Sequence, residues 1–95
     1  MSPPPESRVV RPVTVRNSHG LHARTAAILV KAANKFACDI ELEKEGSRVN
    51  AKSIMGVLML AAAQGTVLTI VAEGVDAPQA VAALEALFEA GFDEV

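Results

Sequence analysis

The residues best placed to do chemistry are two histidines, His19 and His22, in the segment Asn17-Ser18-His19-Gly20-Leu21-His22-Ala23-Arg24. His19 stands between Ser18 and Gly20, where a turn accepts any polar side chain, and reads as exposed and without a role. His22 stands where a loop becomes helix. The unpaired N–H groups of a helix start and its partial positive charge attract a phosphoryl group, and a neutral imidazole nitrogen is a good nucleophile near pH 7. Arg24 and the helix terminus would both oppose protonation of that ring and later offset the charge of phosphoryl oxygens. On the local pattern alone, a histidine that merely caps the helix is an equally good reading.

A second polar position opens a helix. Ser53 precedes the apolar run Ile54 to Ala63 and suits an N-cap, while Gln64-Gly65 stops the run. Other chemistries find little support. The 95 residues hold one cysteine, Cys38, so an internal disulfide and a thiolate zinc cluster are excluded, and a reducing compartment, the cytosol, is expected. A formal charge of -2, with no Trp, no Tyr and three Phe, argues against a nucleic-acid module, which needs a basic surface and stacking rings. No apolar run reaches the roughly 18 residues of a membrane span. Neither metal nor cofactor is called for.

The elements that must position these residues follow from periodicity. With 51% hydrophobic and 21% charged residues, the chain predicts one small globular domain over 8–95. Residues 1–7, rich in proline and without a basic or apolar leader, read as a short disordered tail. Val9, Val10, Val13, Thr14 and Val15 predict a strand, which Pro12 confines to a sheet edge. Ala26, Leu29, Val30, Ala33 and Ala37 recur at helical period and predict a first helix over 23–37. Cys38 to Glu43 alternates, with Cys38, Ile40 and Leu42 inward and Asp39, Glu41 and Glu43 on a wet face. A hairpin turn at Lys44-Glu45-Gly46-Ser47 leads to a partner strand at 48–51 with Val49 and Ala51 inward. Thr66 to Ala72 reads as a central strand, nearly continuous in apolar character. Asp76-Ala77-Pro78-Gln79 has the form of a capping box opening a last helix with Val81, Leu84 and Phe88 buried, and Gly91 ends it. The order is β-α-β-β-α-β-α, an α+β fold with helices covering one sheet face. Element order alone would also fit a ferredoxin-like RNA- or metabolite-binding domain, but the missing strand aromatics and the acidic second strand oppose it.

Gly20-Leu21-His22-Ala23-Arg24 and Lys52-Ser53-Ile54-Met55-Gly56-Val57-Leu58, in this order and spacing, resemble the HPr family, the histidine-containing phosphocarriers of the bacterial phosphotransferase system. The likeness spans roughly residues 8 to 92, and Ala86-Leu87-Phe88-Glu89-Ala90-Gly91-Phe92-Asp93-Glu94 is similar to the end of the nitrogen-related branch of that family. The resemblance implies an open-faced β-sandwich, four antiparallel strands in the order 1-4-2-3 under three helices. It implies a phosphoryl carrier, not an enzyme: His22 takes the group on Nδ1 from enzyme I charged by phosphoenolpyruvate and hands it to enzyme IIA domains, with Arg24 neutralising phosphate. It further implies regulatory phosphorylation of Ser53 by an HPr kinase/phosphorylase, and a monomer whose partners dock on Ala23, Ala27, Lys31, Ile54, Met55 and Leu58. The remaining apolar residues of the second helix are assigned mostly to the core. A regulatory, nitrogen-related module controlling partners without sugar transport is the alternative. One departure stands out: the family usually has proline after the arginine, and Thr25 here implies a competent site with a slightly looser turn.

Overall fold

The computed structural model describes residues 7–94. Its elements are β1 (Ser7–Thr14), α1 (Ala23–Ala33), β2 (Asp39–Lys44), β3 (Ser47–Asn50), α2 (Ile54–Met59), β4 (Val67–Gly74), α3 (Ala77–Glu89) and a 3-10 turn over Gly91–Asp93. The strands form one antiparallel sheet in the order β1-β4-β2-β3, as the resemblance implied. Ser7 belongs to β1, paired with Gly74, so the strand reaches into the expected tail; the rest of that tail lies outside the described residues.

Alternation decides which sheet face is covered. Leu68, Ile70 and Ala72 of β4 and Ile40 and Leu42 of β2 are buried, and they meet Leu29, Val57, Leu84 and Phe88 from the helices. Burial of such a side chain is worth about 1.5–3 kcal/mol, which makes this shared interior the main force holding helices on sheet. Strand β4 is central because both its neighbours pair with it, and Pro12 lies in the edge strand β1. The β2–β3 turn has Glu45 and Gly46 at φ 49° and 85°, the signature of the tight turn whose twist suits a hairpin.

Three expectations need correction. Helix α1 ends at Ala33, not Ala37: the amide of Asn34 donates to the Val30 carbonyl, and Lys35 and Phe36 close three-residue turns onto Ala32 and Ala33. Lys52 Nζ then donates to the Phe36 carbonyl at 2.7 Å. Helix α2 ends at Met59, not Ala63: Ala61 enters the left-handed region at φ 50°, Lys44 Nζ takes the Leu60 carbonyl, and the Ala62 carbonyl accepts the backbone N–H of Leu21. At the start of α3, Asp76 precedes the helix with proline in its first turn, but no side-chain cap forms. Its carboxylate instead accepts the backbone N–H groups of Ala37 and Cys38 at 2.8 and 2.9 Å, which hold it below the usual carboxylate range. Burial, and then the neighbouring Asp76 carboxylate, push the Cys38 thiol up to about 11, as expected of a buried packing cysteine.

The chain reverses after α3. Gly91, Phe92 and Asp93 all have left-handed φ, at 61°, 55° and 59°. For the two non-glycine residues this costs about 1–2 kcal/mol each, offset by burial of Phe92, whose ring meets Phe88 edge-on at 5.1 Å. The turn sends Glu94 back toward the loop between β1 and α1.

Candidate functional site

His22 is the N-cap of α1, in extended conformation, and the following residues turn helical. Its two ring nitrogens face different partners. Nδ1 accepts the backbone N–H of Arg24 at 3.4 Å, and the N–H of Thr25 points to the same side chain in a reciprocal capping box. Nε2 lies 3.1 Å from both carboxylate oxygens of Glu94. A carboxylate has only acceptors, so the ring hydrogen sits on Nε2 and the lone pair is on Nδ1, facing the helix start. The His22 side chain is 37% exposed, open enough for an incoming group.

Arg24 extends into solvent with its Nε 4.0 Å from Glu94. With Arg24 74% exposed, this long ion pair is weak enough for a phosphoryl oxygen to displace. The Glu94 carboxylate is held below its usual range by the hydrogen bond from His22, aided by Asn17 and the charge of Arg24. His19 is exposed; its ring lies edge-on to that of His22 with centroids 6.1 Å apart, and its Nδ1 is 3.3 Å from the Ser18 hydroxyl.

Thr25 does not loosen the turn. It is fully buried, its hydroxyl donates to the Gly20 carbonyl at 2.9 Å, and the same oxygen accepts the backbone N–H of His22 at 3.1 Å. A proline would supply a fixed φ but neither of these bonds. The structure therefore replaces ring stiffness with a buried hydroxyl that ties Gly20 to His22, which corrects the expectation drawn from the missing proline. Thr25→Val keeps the shape and removes both hydroxyl bonds, leaving the Gly20 carbonyl to Asn17 and the His22 N–H to its 3.1 Å bond with that carbonyl. It should lower stability by about 1–3 kcal/mol in urea unfolding, whereas Thr25→Ser should recover most of the loss.

Ala23, Ala27 and Lys31 are exposed and spaced four residues apart, so they line one stripe of α1. Ser53 caps α2 through its hydroxyl, which accepts the N–H of Gly56 at 3.2 Å, and its side chain is partly open. Ile54 and Met55 are exposed, Met55 to 69%. Leu58 is half-buried against the core. Assigning the remaining apolar residues of α2 mostly to the core holds for Val57 but fails for Met59, which is 77% exposed. A helix of six residues is too short to bury more than one side.

Asn17 and Glu94 were not singled out by the sequence. Nothing local marks Glu94, the end of a run resembling the nitrogen-related branch. Asn17 sits in a turn-forming cluster, where its burial is not visible.

The arrangement belongs to a known class. The family model for the phosphotransferase-system HPr component phosphorylation site matches residues 9–90. The chain is 49% identical over 86 residues, 90% of its own length and 98% of the relative's, to the phosphocarrier protein HPr of Treponema pallidum (strain Nichols). Among solved structures, the HPr-C-His protein from Thermoanaerobacter tengcongensis superposes with a TM-score of 0.89 at 44% identity, covering 92% of this chain and 98% of that one. The Bacillus subtilis catabolite repression protein Crh, seen as a dimer with a swapping domain, superposes with a TM-score of 0.69 at 47% identity over 87% of this chain and 92% of that one. Fold and sequence together define a phosphocarrier of the phosphotransferase system. The chain belongs to the HPr family, whose known features are phosphohistidine and phosphoserine.

Proposed function

We propose that this protein relays phosphoryl groups through His22, accepting from phosphorylated enzyme I and donating to enzyme IIA domains. The observation that carries the reading is the direction of Nδ1: its lone pair faces the start of α1, where the N–H groups of Arg24 and Thr25 wait. In the accepting step, this lone pair forms the N–P bond as the donor's bond to phosphorus breaks and the donor leaves with that electron pair. The Nε2 hydrogen stays, so the ring gains positive charge facing the Glu94 carboxylate. The two N–H groups then turn to phosphoryl oxygens, and Arg24 swings from Glu94 to the same charge. In the donating step, the N–P electron pair returns to Nδ1 and the ring is neutral again.

The protein acts as a carrier and supplies no catalytic cycle of its own. The groups that reach His22, namely Arg24, Thr25 and Glu94, bond to it within one chain, and the carrier is read as a monomer; the dimer of Crh is a property of that relative. Among the described residues no helix is long and apolar enough to cross a membrane, and the carrier is read as working in the cytoplasm beside its partners. The exposed stripe Ala23, Ala27 and Lys31, with Ile54, Met55 and the rim of Leu58, supports an apolar docking patch edged with positive charge. Incubation with enzyme I and labelled phosphoenolpyruvate tests the relay, with the acid lability of a P–N bond as the mark of the product. A regulatory reading, control of partners without sugar transport, draws on one observation: the segment resembling the nitrogen-related branch is the one that touches His22. Label transfer to a sugar-specific enzyme IIA separates the two.

Ser53 fits a regulatory phosphorylation by an HPr kinase/phosphorylase. A phosphate of charge about -1.5 to -2 at the start of a helix agrees with the backbone donors there, so the fold should tolerate it. Beside Ile54 and Met55 it would impose desolvation on the docking patch and repel acidic groups of enzyme I. Ser53→Asp should therefore keep the melting temperature of the wild type within a few degrees while slowing phosphorylation of His22 through weaker binding. Transfer by the Asp variant at the wild-type rate would leave Ser53 as a helix cap and move the docking site elsewhere.

A further inference from the structure

A proline after Arg24 would have no backbone N–H; Thr25 has one, and its position gives that group work to do. The first N–H of α1 with a helical acceptor is that of Ala26, which donates to the His22 carbonyl at 2.8 Å. Those of Arg24 and Thr25 precede it and both point at the His22 ring, Arg24 over a long 3.4 Å. The Thr25 side chain fixes this aim. It is fully buried, and its hydroxyl, bonded to the Gly20 carbonyl at 2.9 Å and to the His22 N–H at 3.1 Å, ties the residue that carries the donor to the residue that carries the ring.

When Nδ1 bonds to phosphorus, its lone pair becomes the N–P bond and no longer accepts a hydrogen bond. Two N–H groups thus lose their acceptor as charged phosphoryl oxygens arrive beside them. A hydrogen bond to a charged oxygen is roughly twice as strong as one between neutral groups. Each N–H aimed at Nδ1 therefore favours the phosphorylated ring over the free one, and Thr25 adds one such group.

We propose that Thr25 sets how tightly this carrier holds its phosphoryl group: its N–H is an added donor to the group on Nδ1, and its buried hydroxyl keeps that donor aimed. This deepens the carrier reading and rests on it. What it adds is the position of the transfer equilibrium. With threonine at this place, phosphorylated His22 is a weaker phosphoryl donor than the same site with proline, and the exchange with enzyme I lies further toward the charged carrier.

Thr25→Pro and Thr25→Ala separate the two groups, since both lose the hydroxyl and only the proline variant also loses the N–H. Wild type carrying labelled phosphate on His22 is mixed with an equal amount of an uncharged variant and a trace of enzyme I. The enzyme takes the group from one carrier, breaking its N–P bond and returning the electron pair to Nδ1, and gives it to the other by the reverse step until the two reach equilibrium. The label should settle about 10-fold in favour of wild type against Thr25→Pro, and within about threefold of equal sharing against Thr25→Ala. Equal sharing between wild type and Thr25→Pro overturns the proposal. So does an alanine variant that loses as much label as the proline one, because the hydroxyl alone would then account for the hold. If Thr25→Pro does not fold, the wild-type amide decides. In 15N-labelled protein charged with phosphoramidate, which transfers its phosphoryl group to Nδ1 and leaves as ammonia, the Thr25 N–H should move downfield and exchange with water more slowly than in the uncharged protein. A Thr25 N–H unchanged by phosphorylation sinks the proposal. A wild type that phosphoramidate charges and enzyme I does not would overturn the carrier reading, and the Thr25 amide would still judge the added donor by itself.

Discussion

His22→Ala should abolish acid-labile labelling by enzyme I and phosphoenolpyruvate, while His19→Ala should leave it intact. The size of the effect follows from chemistry: among the described residues no other side chain offers a nitrogen lone pair against the start of α1, and the remaining histidine has its Nδ1 engaged by the Ser18 hydroxyl and its ring turned edge-on to the site. The label should be lost in acid and survive base, the reverse of phosphoserine. Since His22 also caps α1, the variant should lose about 1 kcal/mol of stability, so a urea melt belongs beside the labelling assay. Acid-labile label of wild-type extent on the His22→Ala protein would remove the basis of the carrier reading.

Gly20→Ala should have the largest effect on stability of any single methyl addition near the site. Gly20 has φ 66°, a conformation in which an alanine costs about 1 kcal/mol. The added Cβ would also overlap the Ala62 carbonyl oxygen, and this is backbone that cannot swing aside, because the same oxygen accepts the N–H of Leu21 at 2.9 Å. The Gly20 carbonyl is in turn the acceptor for Asn17 and Thr25. A shift at Gly20 therefore propagates to both supports of His22. A loss of about 3 kcal/mol or more is expected in denaturant unfolding, together with impaired labelling even at temperatures where the variant remains folded. A neutral Gly20→Ala would mean that the loop is not clamped against the segment after α2. Gly46→Ala is the control: that glycine is also left-handed, at φ 85°, but has open space around it, so its cost should be the conformational part alone.

The parts of this protein legible in its sequence are those set by local pattern. The alternation of Cys38, Ile40 and Leu42, the helical spacing of Ala26, Leu29, Val30 and Ala33, and the continuous run through Leu68 and Ile70 each specify an element and its buried side, because side-chain direction repeats with backbone geometry. The glycine-containing turn at 45–46 and the serine before α2 are likewise local, and the structure shows both in those roles. His22 was legible as chemistry because its neighbours in sequence are its neighbours at the helix start. Helix ends were less so: beyond Ala33 and Met59 the carbonyls of Phe36, Leu60 and Ala62 are taken by Lys52, Lys44 and Leu21 from other parts of the chain instead of continuing the helices.

What only the tertiary structure decided is the company that His22 keeps. Thr25 looked like a weaker substitute for proline until its burial showed a hydroxyl bonded both to Gly20 and to His22. Asp76 has the sequence of a helix cap, yet its carboxylate serves the backbone of Ala37 and Cys38 from another part of the chain. Glu94 meets His22 across 72 positions, through a left-handed reversal and a buried phenylalanine that no periodicity announces. Local pattern encodes which way each side chain points; it carries no information about which distant groups the packed layers bring within 3.1 Å, and at this site those groups determine which nitrogen holds the hydrogen.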